Sequence, residues 1–114
     1  MASIPTPPPI TLYRVIRTQH PSWSDFLSNL VRDQPPRDVE VDDPLEWAGI
    51  STFEDPEEAR DRARRFPTLG RYIAELRIPE RSPVLVRPSV GVRHWTIVGG
   101  PGLLLAYVVR VVRV

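Results

Sequence analysis

The sequence predicts a single α+β domain in which one mixed, mostly antiparallel sheet is covered by two helices. Runs of about four to eight apolar and β-branched residues recur along the chain, which is typical of strands. Two segments instead begin with helix-capping residues and continue with apolar residues at helical spacing. The length of 114 residues suits one hydrophobic core, so residues 11–114 are expected to form one domain.

Composition excludes several kinds of protein. The chain has no cysteine, so it has neither disulfides nor a thiolate metal site, and a cytoplasmic location is the simpler inference. No apolar run approaches the roughly 20 residues of a membrane span, so no membrane partner is expected. All 15 basic residues are arginine and 14 residues are acidic, which gives a formal charge of +1. Nucleic-acid binders normally carry a clear basic excess, so no nucleic-acid partner is expected either.

The first elements predicted are an arm and a strand. Residues 1–10 are rich in proline and show no periodicity, which indicates an extended N-terminal arm. Residues 11–17 alternate as a strand does, and this alternation places Leu12, Arg14 and Ile16 on one face of the sheet.

A helix and a loop are predicted next. Ser22 and Asp25 have the spacing of a capping box, which marks the start of a helix. The helix is expected to bury a stripe of apolar residues: Trp23, Phe26, Leu27, Leu30 and Val31. Residues 33–44 are polar and aperiodic, and they predict a long surface loop.

The second predicted helix spans residues 56–66. Asp55 is a good N-cap and Pro56 suits the first helical position. Three residues are expected to face the core: Ala59, Ala63 and Phe66. The arginines of this helix alternate with acids and are interpreted as a solvated face, with Glu58 and Arg62 paired at i,i+4.

The remaining segments predict five further strands and a helical turn. The strands are expected near residues 50–53, 71–78, 84–87, 94–98 and 107–114, with the turn at 103–106. The last strand is a nearly continuous valine run that is apolar on both faces. This pattern is typical of a central strand, so residues 107–114 are expected in the middle of the sheet.

Four residues are candidates for ligand binding. Arg14 lies between apolar neighbours, where it either reaches water or a carboxylate, or lines a cleft and binds an anion. Ser51 and Thr52 precede a helix N-terminus, a place that suits a small anion. His94 begins a strand and is either a general base or ribose and phosphate contact, or a surface group.

The candidate residues and the other histidine, His20, give no sign of nucleophilic catalysis or of metal binding. Ser51 and Thr52 lack an adjacent base and the GxSxG elbow, so nucleophilic catalysis is not expected. The two histidines, His20 and His94, are far apart and have no cysteine beside them, so no metal site is expected.

Three segments together resemble the core of the ADP-ribosyltransferase-like superfamily: Leu12-Tyr13-Arg14, Ile50-Ser51-Thr52-Phe53 with its following helix, and the strand at 71–78. The resemblance implies that Arg14 contacts a nicotinamide nucleotide and that Ser51 and Thr52 form the superfamily's Ser-Thr-Ser-like strand. The late-strand acid of the superfamily has no counterpart, because His94-Trp95-Thr96 stands in its place. Whether the chain is an enzyme is therefore left open. The whole sequence also resembles a group of small bacterial proteins, which implies no activity.

The sequence is compatible with two candidate functions. The first is a nucleotide- or NAD-binding domain, with NAD as candidate cofactor and a toxin–antitoxin pair as the implied setting; it uses Arg14, Ser51, Thr52 and His94. The second is a non-enzymatic module whose loop and arm bind a protein partner. Convergence of Arg14, Ser51 and His94 in one pocket favours the first. If Arg14 and His94 lie on opposite faces of the sheet, the nucleotide hypothesis is expected to fail and the module becomes the better account. An apolar patch beside the arm also favours the module.

Overall fold

The computed structural model describes residues 9–36, 43–89 and 93–114. Within them lie six strands: β1 (Ile10–Ile16), β2 (Ile50–Phe53), β3 (Tyr72–Ile78), β4 (Leu85–Pro88), β5 (His94–Val98) and β6 (Val108–Arg113). The helices are α1 (Pro44–Ala48), α2 (Pro56–Arg65) and α3 (Pro101–Ala106), with two 3₁₀ turns at Trp23–Phe26 and Pro67–Leu69. None of the helices in this part of the chain has the length and apolar character needed to cross a membrane.

The strands form one sheet in the order β4-β5-β2-β1-β3-β6. Every pairing found between neighbouring strands is antiparallel. The predicted α+β class with a single, mostly antiparallel sheet is therefore confirmed. β1 lies inside the sheet and pairs along its full length with β3, which fixes the direction of each of its side chains.

Apolar clusters cover both faces of the sheet. The larger cluster joins Leu12 and Ile16 of β1 to Phe26 of the first 3₁₀ turn and Leu104 of α3. The smaller cluster packs Ala59 of α2 against the opposite face. We call these the α3 face and the α2 face.

The prediction of an α-helix after Ser22 is wrong. Only Trp23–Phe26 form a 3₁₀ turn, because Leu27 is already extended (φ −85°, ψ 129°). The predicted capping box of Ser22 and Asp25 is nevertheless present, with the Asp25 carboxylate accepting the Ser22 backbone N–H at 2.9 Å. Of the predicted apolar stripe, Phe26 is buried, whereas Trp23, Leu30 and Val31 are exposed by 58%, 42% and 62%.

The central position predicted for the last strand is also wrong, because β6 lies at an edge of the sheet. Its two apolar faces have a different origin. Val111 packs against the larger cluster and Val112 against the smaller one, while Val109 is 52% exposed. Both faces of an edge strand can be apolar when each face of the sheet carries its own core.

Other boundaries differ less. β1 begins at Ile10, so the last residue of the predicted arm belongs to a strand, and residues 1–8 of that arm lie outside the described residues. Helix α1 begins at the end of the predicted loop, of which residues 37–42 are likewise outside the description. Phe66 follows α2 and is 49% exposed, so its predicted place in the core is wrong.

Candidate functional site

A cavity of about 640 Å³ lies where β1 ends and β2 begins. This volume is in the range of roughly 300–1,000 Å³ that is usual for small-molecule sites. β1 and β2 pair at one position only, Tyr13 with Phe53, so the strands separate beyond it. The cavity occupies this end of the sheet, between the segment that follows the first 3₁₀ turn and the end of α2.

Arg14 is the most enclosed of the cavity's arginines, because it is half-buried whereas Arg17, Arg32 and Arg62 are exposed. Its Nε–H donates to the Asp25 carbonyl oxygen at 2.8 Å, and Nη1 donates to the Ser51 carbonyl oxygen at 2.9 Å. The guanidinium therefore connects the 3₁₀ turn to β2 where the strands have separated. These two bonds use two of its five N–H donors. The Arg14 guanidinium forms no ion pair with any carboxylate of the described ranges.

The electrostatics of Arg14 favour an incoming anion. Burial lowers the pKa of Arg14 to about 10, the negative charge of Asp25 opposes this shift, and the positive charge of Arg32 adds to it. A guanidinium nevertheless stays protonated at neutral pH. The lowered pKa thus reports a charge held with too little compensation, which a bound anion would supply.

Three further arginines line the same cavity: Arg17, Arg32 and Arg62. Among the described lining residues, Asp25 is the only carboxylate. Like Arg14, these three arginines form no ion pair within the described part of the chain. A chain that is almost neutral overall therefore concentrates positive charge in one concave place.

Aromatic rings form one side of the cavity. The Arg62 guanidinium carbon lies 5.8 Å from the ring centroid of Phe53 and 5.4 Å from that of Phe66. The His94 ring is 5.2 Å from Phe53, centroid to centroid, at an interplanar angle of 35°. Phe53, Phe66 and His94 all contribute to the lining.

The predicted site residues are brought together only in part. Ser51 is exposed, lines the cavity and holds Arg14 through its carbonyl oxygen. Thr52 is fully buried, and its hydroxyl donates to the Trp95 carbonyl oxygen at 2.9 Å. Thr52 therefore has its hydrogen bond inside the sheet and is not part of the lining.

Arg14 and His94 project from opposite faces of the sheet. Arg14 alternates with Leu12 and Ile16 on the α3 face, whereas His94 pairs with Phe53 on the α2 face. The predicted pocket, with Arg14 and His94 on one face of the sheet, is therefore wrong, and by the condition stated above this outcome favours the interaction module. Both residues still line the cavity, because the cavity lies where β1 and β2 separate and takes residues from both faces.

Sequence patterns did not identify Arg17, Arg32 or Arg62 as site residues. Arg62 was predicted to pair with Glu58, but the ion pairs along α2 are Glu57–Arg60 and Asp61–Arg64. The contact of Arg62 with Phe53 joins residues on different elements, so helical spacing gives no signal for it.

A second polar cluster lies between α1 and the β4–β5 edge. The Glu46 carboxylate accepts hydrogen bonds from Thr96 at 2.7 Å, Ser89 at 3.0 Å and Arg87 at 3.1 Å. Arg87 also pairs with Asp43, the N-cap of α1. These bonds fix α1 to the sheet, so we assign the cluster a structural role.

Comparison with known proteins adds no assignment. The chain matches no protein-family model, no curated protein and no solved structure. The resemblance to the ADP-ribosyltransferase-like superfamily therefore stays a prediction. Across residues 9–36, 43–89 and 93–114, no group of three or more acidic or histidine side chains could hold a metal ion.

Proposed function

We propose that the protein binds a small anionic ligand of the nucleotide class in the cavity at the end of β1 and β2. The observation that carries the proposal is the composition of the lining, with four guanidiniums and one carboxylate among the described residues. Uncompensated charge in a concave site raises the local concentration of anions and strengthens their binding.

The lining suits a phosphate that carries an organic group. Arg14 is held in place by two carbonyl oxygens, and its other N–H donors match the oxygens of a phosphate. The Ser51 hydroxyl is exposed in the same cavity, and the rings of Phe66 and His94 offer apolar surface to a base. NAD is the ligand that the superfamily resemblance implies.

The proposal is for binding and does not include group transfer. A transferase of the superfamily needs an acid that orients the ribose. Asp25 is the one carboxylate in the described lining, and it accepts backbone N–H groups from Ser22 at 2.9 Å and Arg17 at 3.5 Å. That arrangement supports a structural role for Asp25.

Calorimetry with AMP and NAD tests the proposal. Wild-type protein should give measurable heat with one or both nucleotides. Arg14→Gln should weaken binding by about 1.5–3 kcal/mol, because a charge-assisted hydrogen bond is lost. Arg64→Gln is the matched control: Arg64 is on α2, is 60% exposed, pairs with Asp61 and lies outside the cavity. No heat at millimolar nucleotide, or an equal loss in both variants, would refute the proposal.

A protein-interaction module is the second candidate. The placement of Arg14 and His94 on opposite faces of the sheet favours this module. A second observation also favours it: Trp23, Leu30 and Val31 expose large apolar side chains within one short segment. Residues 1–8 of the predicted arm, which was expected over residues 1–10, lie outside the described residues. If neither nucleotide binds in the calorimetric experiment, this module becomes the better account.

A further inference from the structure

Arg62 differs from the neighbouring arginines of α2 in what it contacts. Arg60 pairs with Glu57, and Arg64 pairs with Asp61. Arg62 forms no ion pair with the described residues, and its guanidinium lies over the rings of Phe53 and Phe66 instead. Both distances, 5.8 and 5.4 Å, are within the roughly 6 Å of a cation–π contact.

This arrangement holds the side chain and keeps its charge. A ring contacts the flat face of a guanidinium, whereas the N–H donors lie in its plane and stay available to an acceptor. A carboxylate partner would have neutralised the charge and occupied those donors. Arg62 is therefore oriented before any ligand arrives, and it lines the cavity with its charge uncompensated.

Arg62 and Arg14 reach the cavity from different sides. Arg14 comes from the α3 face of β1, while Arg62 comes from α2 on the opposite face. Arg32, in the segment after the 3₁₀ turn, belongs to the Arg14 side, because its positive charge contributes to lowering the pKa of Arg14. Positive charge thus reaches the cavity from both faces of the sheet.

We infer that Arg62, held between Phe53 and Phe66, is a second anion-binding position, and that the ligand carries more than one phosphate, as a nucleoside diphosphate does. This inference rests on the proposed function and names its ligand class. The cavity of about 640 Å³ has room for such a ligand. Arg14 contacts one phosphate, Arg62 contacts another, and the rings of Phe53 and Phe66 keep Arg62 in position.

Calorimetry with ADP and AMP, and with pyrophosphate and phosphate, tests the inference. Wild-type protein should bind ADP about tenfold or more tightly than AMP, since one further charge-assisted contact forms. Arg62→Gln should lower the ADP affinity much more than the AMP affinity, and so remove most of this preference. The Arg64→Gln control should keep the wild-type preference.

Phe66→Leu tests whether the rings position Arg62. Phe66 is 49% exposed, so the fold should tolerate this change, and thermal melts would check it. Both affinities should fall, since the ring also offers surface to the base, but the ADP affinity should fall further. Pyrophosphate and phosphate have no base, so with them the change should appear in the affinity for pyrophosphate alone. A purely structural role of Phe66 would lower both affinities alike.

The outcomes separate this inference from the proposed function. Equal wild-type affinities for ADP and AMP, or an equal loss of both in Arg62→Gln, would overturn the inference. The proposed function would still stand if Arg14→Gln weakened AMP binding in the same experiment. Absence of binding by AMP, ADP and NAD at millimolar concentration would overturn both.

Discussion

Gly70, between the second 3₁₀ turn and β3, holds a backbone conformation that only glycine adopts readily. Its φ is 146°, and an added Cβ would overlap the carbonyl group of Ile16 at the end of β1. Gly70→Ala should therefore destabilise the fold by about 1–3 kcal/mol from backbone strain, with the overlap adding to this. Gly102→Ala is the control, because a Cβ at this position in α3 meets no atom within 4 Å. Chemical unfolding that gave equal losses for the two variants would contradict the argument.

Single residues could be predicted from sequence where the local pattern is unusual. Arg14 stood out because a charge interrupts the apolar alternation of Leu12 and Ile16. Ser51 and Thr52 are neighbours on β2, so their side chains point to opposite faces of the sheet. The sequence does not show which of these faces borders the cavity, so it could not distinguish the two residues. Arg62 was missed because its contact with Phe53 is made in three dimensions and has no helical spacing.

Helix α1 offers a prediction at the scale of an element, since Glu46 ties it to the sheet. Burial of the Glu46 carboxylate acts to raise its pKa, but hydrogen bonds from Thr96, Ser89 and Arg87 outweigh this effect and leave the pKa lowered. A carboxylate whose pKa is lower in the folded state stabilises the fold above its unfolded pKa. This stabilisation is lost as the pH falls through the folded pKa.

Glu46→Gln should therefore cost about 1–3 kcal/mol of stability at pH 7. The difference from wild type should shrink as the pH falls below the pKa of an unfolded glutamate, about 4.3, and through the lowered pKa of the folded Glu46 carboxyl. Thermal melts between pH 3 and 7 would measure this. Glu57→Gln is the control, since Glu57 is 67% exposed and pairs only at the surface. A constant difference between Glu46→Gln and wild type across the pH range would argue against a role for the charge.

Elements were predictable when their signals were local. The strand at 94–98 agrees with β5, and the capped helix from Pro56 agrees with α2 except at its last residue. The prediction of a helix after Ser22 failed because the Asp25 carbonyl oxygen accepts a hydrogen bond from the Arg14 side chain and Leu27 is extended. The competing donor, Arg14, belongs to β1, so neither the capping box nor the apolar spacing of the segment could indicate this hydrogen bond.

At the scale of the whole molecule, the net charge is nearly zero whereas the charge around the cavity is strongly positive. The formal charge of +1 gives no indication of a binding site, yet four arginines meet at one cavity. The fold creates this concentration by separating β1 from β2 and bringing the end of α2 beside the gap. The local sequence patterns predicted the fold class, whereas the net charge gave no indication of the candidate site, because that site depends on how the elements are placed.

Ligand binding should stabilise the whole fold, because the cavity draws its lining from β1, β2 and α2 and exists only when they are assembled. A ligand that binds only the folded state raises the free energy of unfolding by about 2.7 kcal/mol at 100 times its Kd, which for a domain of this size is roughly 10 °C in Tm. ADP should therefore raise the Tm of the wild-type protein, and added salt should reduce the rise because it screens charges near the surface. Adenosine is the matched control, because it has the same base and ribose but no phosphate. An equal rise with adenosine would show that the arginines do not select the ligand by its charge.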